Sequence, residues 1–363
     1  MTATVDKVTA EAEAATERVF GAVLGGMEVL VIAIGDRLGY YRALDGIDLS
    51  PRELADRTGT SVRYTREWME HQAVSGFLTV VADGEADDRR FALAPGMAEV
   101  LARPDALTTM APLARMVAAA GAQWTRIADG ARSGHGLAWS EYGADMLESQ
   151  GDVNAPPLLQ LLPDEWLNAA LPDIHQRLAA GEALSIADVG CGVGWASIGL
   201  ARRFPNASVD AYDVDPATID VAKAAIRASG VEDRVRVFDC DLAQGAPNAD
   251  YDLAIAVECI HDMSDPVPVL ASMRKMVHAS GAVLIVDELV ADEFTAPGDE
   301  VERLMYGYST LVCLPDSMSG DPTVATGTVM RTSTLESYAR QAGFTKVEVL
   351  PVEHEMWRFY RLS

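Results

Sequence analysis

The run ALSIADVGCGVGWASIGL, residues 183–200, decides the fold. Leu184–Val189 has the length and composition of a short buried strand. Gly190, Gly192 and Gly194 then make a turn in which the backbone can approach a ligand closely. Helix-forming residues follow from about Trp195 to Phe204. The spacing discriminates among nucleotides. A dinucleotide fingerprint needs a glycine three residues after its second glycine; that position is Trp195, so a nicotinamide or flavin site is disfavoured. No GxxxxGK[ST] run occurs, which removes a P-loop.

The same rhythm repeats downstream. Strands are expected at Ser208–Tyr212, Arg234–Phe238, Tyr251–Val257 and Ala282–Val286, with a helix from Pro216 to about Ser229. They end in Asp213-Val214-Asp215-Pro216, Asp239-Cys240-Asp241-Leu242, Glu258 and Asp287-Glu288. Repeated βα units predict a doubly wound, Rossmann-like α/β sheet with its site at the carboxyl ends of the strands. Asp213, about twenty residues beyond the glycine turn, is placed to grip a ribose diol. Asp215 before Pro216 reads first as a helix N-cap. A helix at Ser333–Gln341 stopped by Gly343, then strands at Thr345–Leu350 and Met356–Leu362, would finish the sheet with an antiparallel edge.

Composition bounds the partners. The 363 residues carry 54 acidic and 29 basic side chains, a formal net charge of −25. Nucleic acid and anionic membrane surfaces would both be repelled. Cys191, Cys240, Cys259 and Cys313 are scattered, with neither zinc spacing nor a disulfide framework. No signal peptide is apparent, so a cytoplasmic location is expected. The longest apolar stretch, Val19–Ile34, is interrupted by Gly21, Gly25, Gly26 and Glu28; it reads as too short to span a membrane.

The first hundred residues are mainly α. Helical runs are expected over residues 4–19 and from Val19 to about Leu44. Ser50-Pro51-Arg52-Glu53 forms a capping box that starts a helix ending near Gly59; Thr60 can cap the next, which runs to about Ser75. Strands at Leu78–Ala82 and Arg90–Leu93 complete a winged-helix pattern. Residues 36–100 hold 8 basic and 12 acidic side chains, and the would-be recognition helix carries Glu67 and Glu70 beside Arg63 and Arg66. A groove-binding helix needs an uncompensated basic face, so packing or dimerisation is preferred over DNA binding.

The glycine turn, Asp213 and Asp241 stand in the order and at the strand ends of class I S-adenosylmethionine (SAM)-dependent methyltransferases, and about Ala183–Ser363 resembles that family. The resemblance implies SAM as cofactor and S-adenosylhomocysteine as product. It implies that Gly190, Gly192 and Gly194 pack against the methionine moiety, with Asp188 supporting the loop or acting as a plain structural cap. It places Asp213 on the ribose, Val214 on the adenine, and Asp241 with the Leu242 amide at the adenine edge. Glu258, closing the fourth strand, is counted with the cofactor site.

Glu258-Cys259-Ile260-His261-Asp262-Met263-Ser264-Asp265 contains an HDxSD run that looks like that of the winged-helix O-methyltransferases. In that resemblance His261 is the general base that deprotonates an acceptor hydroxyl, and Asp287 is its acidic partner, with Asp262 and Glu288 as alternatives. An imidazole near neutrality can take a phenol's proton as transfer proceeds, and a flanking carboxylate orients the ring. His261 as pocket lining or as a core histidine stays open. No Asp-Asp or Asp-Asn cluster stands out, so no metal is expected.

The chain departs from the plant enzymes of that family in residues 98–180, which include Gly134–Tyr142, and in an insertion over Glu293–Arg331. Its layout looks closer to bacterial two-domain methyltransferases. The insertion suits a helix over about Asp299–Cys313 whose Met305 and Tyr308 could cover an apolar acceptor, with Trp139 and Tyr142 from the other side; ordinary helix packing is the alternative for each. Tyr142 could instead reach the methionine end of SAM. His135, between glycines, reads as a turn residue. The expected organisation is a helical and winged-helix dimerisation domain at 1–110, a helical linker and pocket segment at 111–180, and a methyltransferase domain at 181–363. The expected function is O-methylation of a small apolar or aromatic molecule by a homodimer formed through the N-terminal domain, with N- or C-methylation, another SAM-dependent reaction, or a SAM-sensing winged-helix regulator as the alternatives.

Overall fold

The computed structural model describes residues 2–363, with side chains from Val8 onward. The chain forms two compact units, Met1–Ala119 and Ala120–Ser363. The boundary lies within the segment expected as a linker, and residues 120–180 belong to the second unit rather than to a separate body.

In the first unit one unbroken helix, Thr2–Arg37, replaces the two expected runs. Its glycines cost helix propensity but none adopts a turn conformation. The capping box is formed: the Glu53 amide donates to Ser50 Oγ at 3.3 Å and the Ser50 amide to Glu53 Oε2 at 2.8 Å. That helix, Pro51–Thr58, stops at Gly59 with φ 67°. The next, Val62–Val74, has Ser61 rather than Thr60 at its N-cap; the Thr60 hydroxyl meets Thr65 instead, at 2.9 Å. β2 (Thr79–Ala82) and β3 (Arg90–Ala92) pair antiparallel, and a short β1 (Asp48–Leu49) adds to β3, giving the order β1-β3-β2. Tyr40, Tyr41, Trp68 and Phe91 fill the core.

The long helix differs from expectation in another way. Its Val8–Arg37 stretch has an 18-residue window of mean hydropathy 1.8, long and apolar enough by length and composition to cross a membrane. Glycines, unlike charges, do not interrupt such a window. Phe20, Val23, Leu24, Met27, Leu30 and Ile34 are exposed along it. Their three- and four-residue spacing puts them on one stripe.

The second unit is built on β4 (Ser185–Val189), β5 (Ser208–Asp213), β6 (Val235–Asp239), β7 (Tyr251–Val257), β8 (Val277–Glu288), β9 (Val347–Val349) and β10 (Trp357–Leu362). Their order is β6-β5-β4-β7-β8-β10-β9. The first five are parallel; β10 runs antiparallel to β8 and to β9. Strands buried on both faces read as continuous apolar runs. Ile186, Leu253, Ile255 and Leu284 enter one core with Trp166 and Phe359, while Ala187, Ala254, Val283 and Ile285 enter the other with Met273 and Phe344. Strand order reverses at β4, and in doubly wound sheets ligands bind outside the carboxyl ends of the strands at such a switch point.

The helix Ala144–Gln160 packs across the helix Trp195–Arg203 that follows the glycine turn. Gly199 permits the approach, because a Cβ there would stand 2.4 Å from the Leu158 carbonyl oxygen. That neighbour is backbone and cannot rotate away. Gly199→Ala is expected to destabilise the unit by about 1–3 kcal/mol, the usual cost of overpacking. Thermal unfolding measures it; a melting temperature equal to that of the unmodified chain would contradict this packing.

Candidate active site

The glycine turn sits directly after β4. Gly190, Gly192 and Gly194 have φ of 65°, 53° and 86°, values that favour glycine. Gly190 is also sterically required, since a Cβ would lie 2.7 Å from Cys259 Sγ. Gly192 has open space where its Cβ would be. Asp213, at the end of β5, ties the turn down: it accepts from the Gly192 amide at 2.9 Å, the Val214 amide at 2.8 Å and the Asp215 amide at 3.0 Å. Burial raises its carboxyl above the usual range. Asp188 is buried, accepts from Ser197 Oγ at 2.6 Å, and is pushed up to about 6 by burial. That bond ties the end of β4 to the helix that follows the turn. Val214 is 62% exposed at the rim.

The acids further along the sheet are used differently. Asp241 caps the short turn Leu242–Gln244, accepting from the Ala243 amide at 2.8 Å and from Gln244 Nε2 at 3.2 Å. Leu242 is buried in the core, and its carbonyl accepts from Ser272 Oγ at 2.7 Å. Asp215 caps its helix as expected, accepting from the Thr218 amide at 2.8 Å. Glu258 holds a left-handed backbone, φ 51°. Its carboxylate accepts from Asn154 Nδ2 and Trp357 Nε1, both at 2.5 Å. The side chain expected on the cofactor is thus committed to two neighbours that no local motif announces. Glu288 lies opposite Trp357 in register, is buried, and has an Oε2 without a partner. Burial, with the Glu258 charge adding to it, raises its carboxyl well above the usual range.

His261 is 2% exposed. Its Nδ1 lies 2.8 Å from Asp287 Oδ1 at the end of β8, and its Nε2 lies 3.3 Å from Asp262 Oδ1. The first contact is a hydrogen bond; Asp262 Oδ1 has no hydrogen-bond partner. Burial alone would lower the imidazole, but Asp262 and Asp287 outweigh it and hold the ring well above 6.5. The structure thus joins His261 to Asp287 and places Asp262 on the other nitrogen. Cys313 joins them, its sulfur within 4.8 Å of both His261 and Asp262. No local signal announces this, because Cys313 follows no motif and lies about fifty residues away.

The two departing segments pack on each other beside this cluster. The expected insertion helix is Glu300–Tyr308, continued by a wider π-turn over Ser309–Cys313. The Gly136 amide donates to the Met318 carbonyl at 3.2 Å, the Leu137 amide to Pro315 at 2.9 Å, and the Trp139 amide to Asp316 Oδ1 at 2.8 Å. Tyr142 is buried, and its hydroxyl donates to the Leu311 carbonyl at 2.8 Å. Its polar end therefore anchors the insertion. Met305 is 2% exposed and packs inward. Tyr308 ends in a buried hydroxyl without a partner. His135 lies exposed in the turn, as expected.

Residues 187–283, which hold the glycine turn, Asp213 and His261, match the model of a methyltransferase domain. That stretch of the second unit is similar to a methyltransferase domain. Methyltransferase GfsG of Streptomyces halstedii is 31% identical over 140 residues, 38% of this chain and 49% of that protein. The chain spans about half the length, or less, of the curated relatives it matches first. Among solved structures, the mitomycin 7-O-methyltransferase MmcR superposes with a TM-score of 0.71 at 19% identity, over 98% of this chain and 99% of that one. Human N-acetylserotonin methyltransferase, solved with SAM, gives 0.66 at 16% identity, over 96% and 97%. The methyltransferase domain has the class I SAM-dependent fold of these structures, with the parallel sheet and antiparallel edge read from the sequence.

Proposed function

We propose that the chain is a SAM-dependent methyltransferase that acts on oxygen of a small apolar or aromatic acceptor, with His261 as general base. The observation that carries this reading is the buried His261–Asp287 pair, 2.8 Å apart, at the carboxyl ends of the same sheet as the glycine turn. The residues fit the cofactor. Gly192 leaves open space above the turn, and Trp195 Nε1 is buried without a partner. Gly190, Gly192 and Gly194 would hold the methionine end, Asp213 the ribose, and Val214 the adenine face. Asp241 and Leu242 would border the adenine through backbone, and Glu258 would act from behind. When bound, SAM supplies an electrophilic methyl group on a sulfonium.

Asp287 accepts from Nδ1–H and so selects the tautomer with its lone pair on Nε2. Nε2 takes the acceptor hydroxyl proton as the oxygen attacks, and Asp287 stabilises the imidazolium that forms. Alignment of the attacking oxygen supplies the rest of the acceleration. Met305 and Tyr308 would face the acceptor, with Trp139 and Tyr142 supporting the opposite side. Turnover of labelled SAM against matched phenols, hydroxy acids and amines tests the reading. Label on hydroxyl oxygen supports it; label only on nitrogen or carbon overturns it.

The first unit is proposed to be a winged-helix dimerisation domain in a cytoplasmic enzyme. Arg63 pairs with Glu67 at 2.5 Å and Arg66 with Asp87 at 2.9 Å, so the helix that would enter a DNA groove spends its cations internally. The exposed stripe of the long helix is assigned to a second copy. Met27→Glu would place a charge in its middle and is expected to convert dimer to monomer by analytical ultracentrifugation. A monomeric unmodified chain would refute the assignment.

A further inference from the structure

We propose that His261, Asp262 and Cys313 form a site for a borderline transition-metal dication of the zinc class, a regulation of the active site that rests on the methyltransferase reading for its effect on turnover. Imidazole, thiolate and carboxylate are the ligand types such ions favour. Their donor atoms already lie within 4.8 Å of one another, with Nε2 and Oδ1 3.3 Å apart. Zinc holds such donors at about 2.0–2.3 Å, so a small contraction closes the set.

Three further observations agree. Asp287 accepts from His261 Nδ1 at 2.8 Å, the carboxylate–histidine arrangement that fixes the Nε2 lone pair on a metal. Asp262 Oδ1 is buried beside His261 Nε2, and Thr328, 1% exposed, lies beside Cys313. Asp262 and Asp287 flank one imidazole, and a dication would offset their charge. Binding converts the Cys313 thiol to thiolate and releases its proton to solvent. Three protein donors leave a fourth position open. An ion on Nε2 consumes the lone pair that would accept the hydroxyl proton, so occupancy inhibits transfer.

Titration of the chelator-treated full-length chain with Co²⁺ tests the site. One equivalent with a thiolate-to-Co²⁺ band in the near ultraviolet, displaced by Zn²⁺, is expected. Cys313→Ser should lose the band and bind Zn²⁺ at least tenfold more weakly. Asp287→Asn should weaken Zn²⁺ by about 10–100-fold through the orienting hydrogen bond. Retained S-adenosylhomocysteine binding reports that each variant is folded, and Asp262→Asn is a further ligand variant should one fail. Absence of the band, or its persistence in Cys313→Ser, overturns the proposal. A band without S-adenosylhomocysteine binding by the unmodified chain would sink the methyltransferase reading and leave the metal site standing.

Discussion

Replacing His261 by alanine is expected to lower methyl transfer by about 10²–10⁴-fold, the usual range for a positioned general base. S-adenosylhomocysteine affinity should hold, because His261 pairs with Asp262 and Asp287 while Asp213 holds the glycine turn. Removal also strands Asp262 and Asp287, and breaking a buried pair destabilises proteins by about 3–5 kcal/mol. His261→Asn keeps a donor toward Asp287 and separates lost chemistry from lost stability. The pH profile adds a second readout. A base works deprotonated, and the two carboxylates hold this imidazole well above 6.5. The rate should therefore rise with pH along a limb displaced upward from the ordinary histidine range. Transfer undiminished in His261→Ala, or a limb below 6.5, would remove the residue from the mechanism.

Asp213→Ala is expected to weaken S-adenosylhomocysteine binding on the order of 10²-fold, from hydrogen bonds to a charged acceptor worth about 1.5–3 kcal/mol each. Two losses combine. The ribose would lose its acceptor, and the amides of Gly192, Val214 and Asp215 would lose theirs. The turn should loosen as well as bind less. Asp213→Asn, which keeps one acceptor oxygen, should fall between. Asp241→Ala should cost less, since its carboxylate is occupied with capping. Titration calorimetry distinguishes them; equal affinity for Asp213→Ala and the unmodified chain would mean the ribose lies elsewhere.

The parts of the fold that follow local rules were legible in the sequence. Strand–helix alternation, the three glycines, the Ser50–Glu53 capping box and the Asp215 cap depend on residues within a few positions of one another. His261 and Asp287 were legible through the HDxSD run and the next strand end. Glu258 was not, because its partners Asn154 and Trp357 lie about a hundred residues to either side. Tyr142 looked like a pocket residue by composition, yet its hydroxyl serves Leu311. Cys313 reaches His261 only because the insertion winds through a wider turn, which periodicity does not reveal. The first helix runs unbroken through Val19, where the sequence passes from Ala- and Glu-rich to apolar, because a change of composition does not interrupt helix propensity.

The pairing of residues 136–142 with 311–318 bears on re-engineering. Gly136, Leu137 and Trp139 give their amides, and Tyr142 its hydroxyl, to acceptors that the other segment alone supplies. At Gly136 a Cβ would meet the Pro315 carbonyl oxygen, so shape is matched along with polarity. A chimaera that imports one stretch from another enzyme leaves the second holding orphaned donors or acceptors. Acceptor preference should therefore transplant as a two-piece cassette, and libraries that vary both pieces together should recover folded members more often than those that vary either by itself.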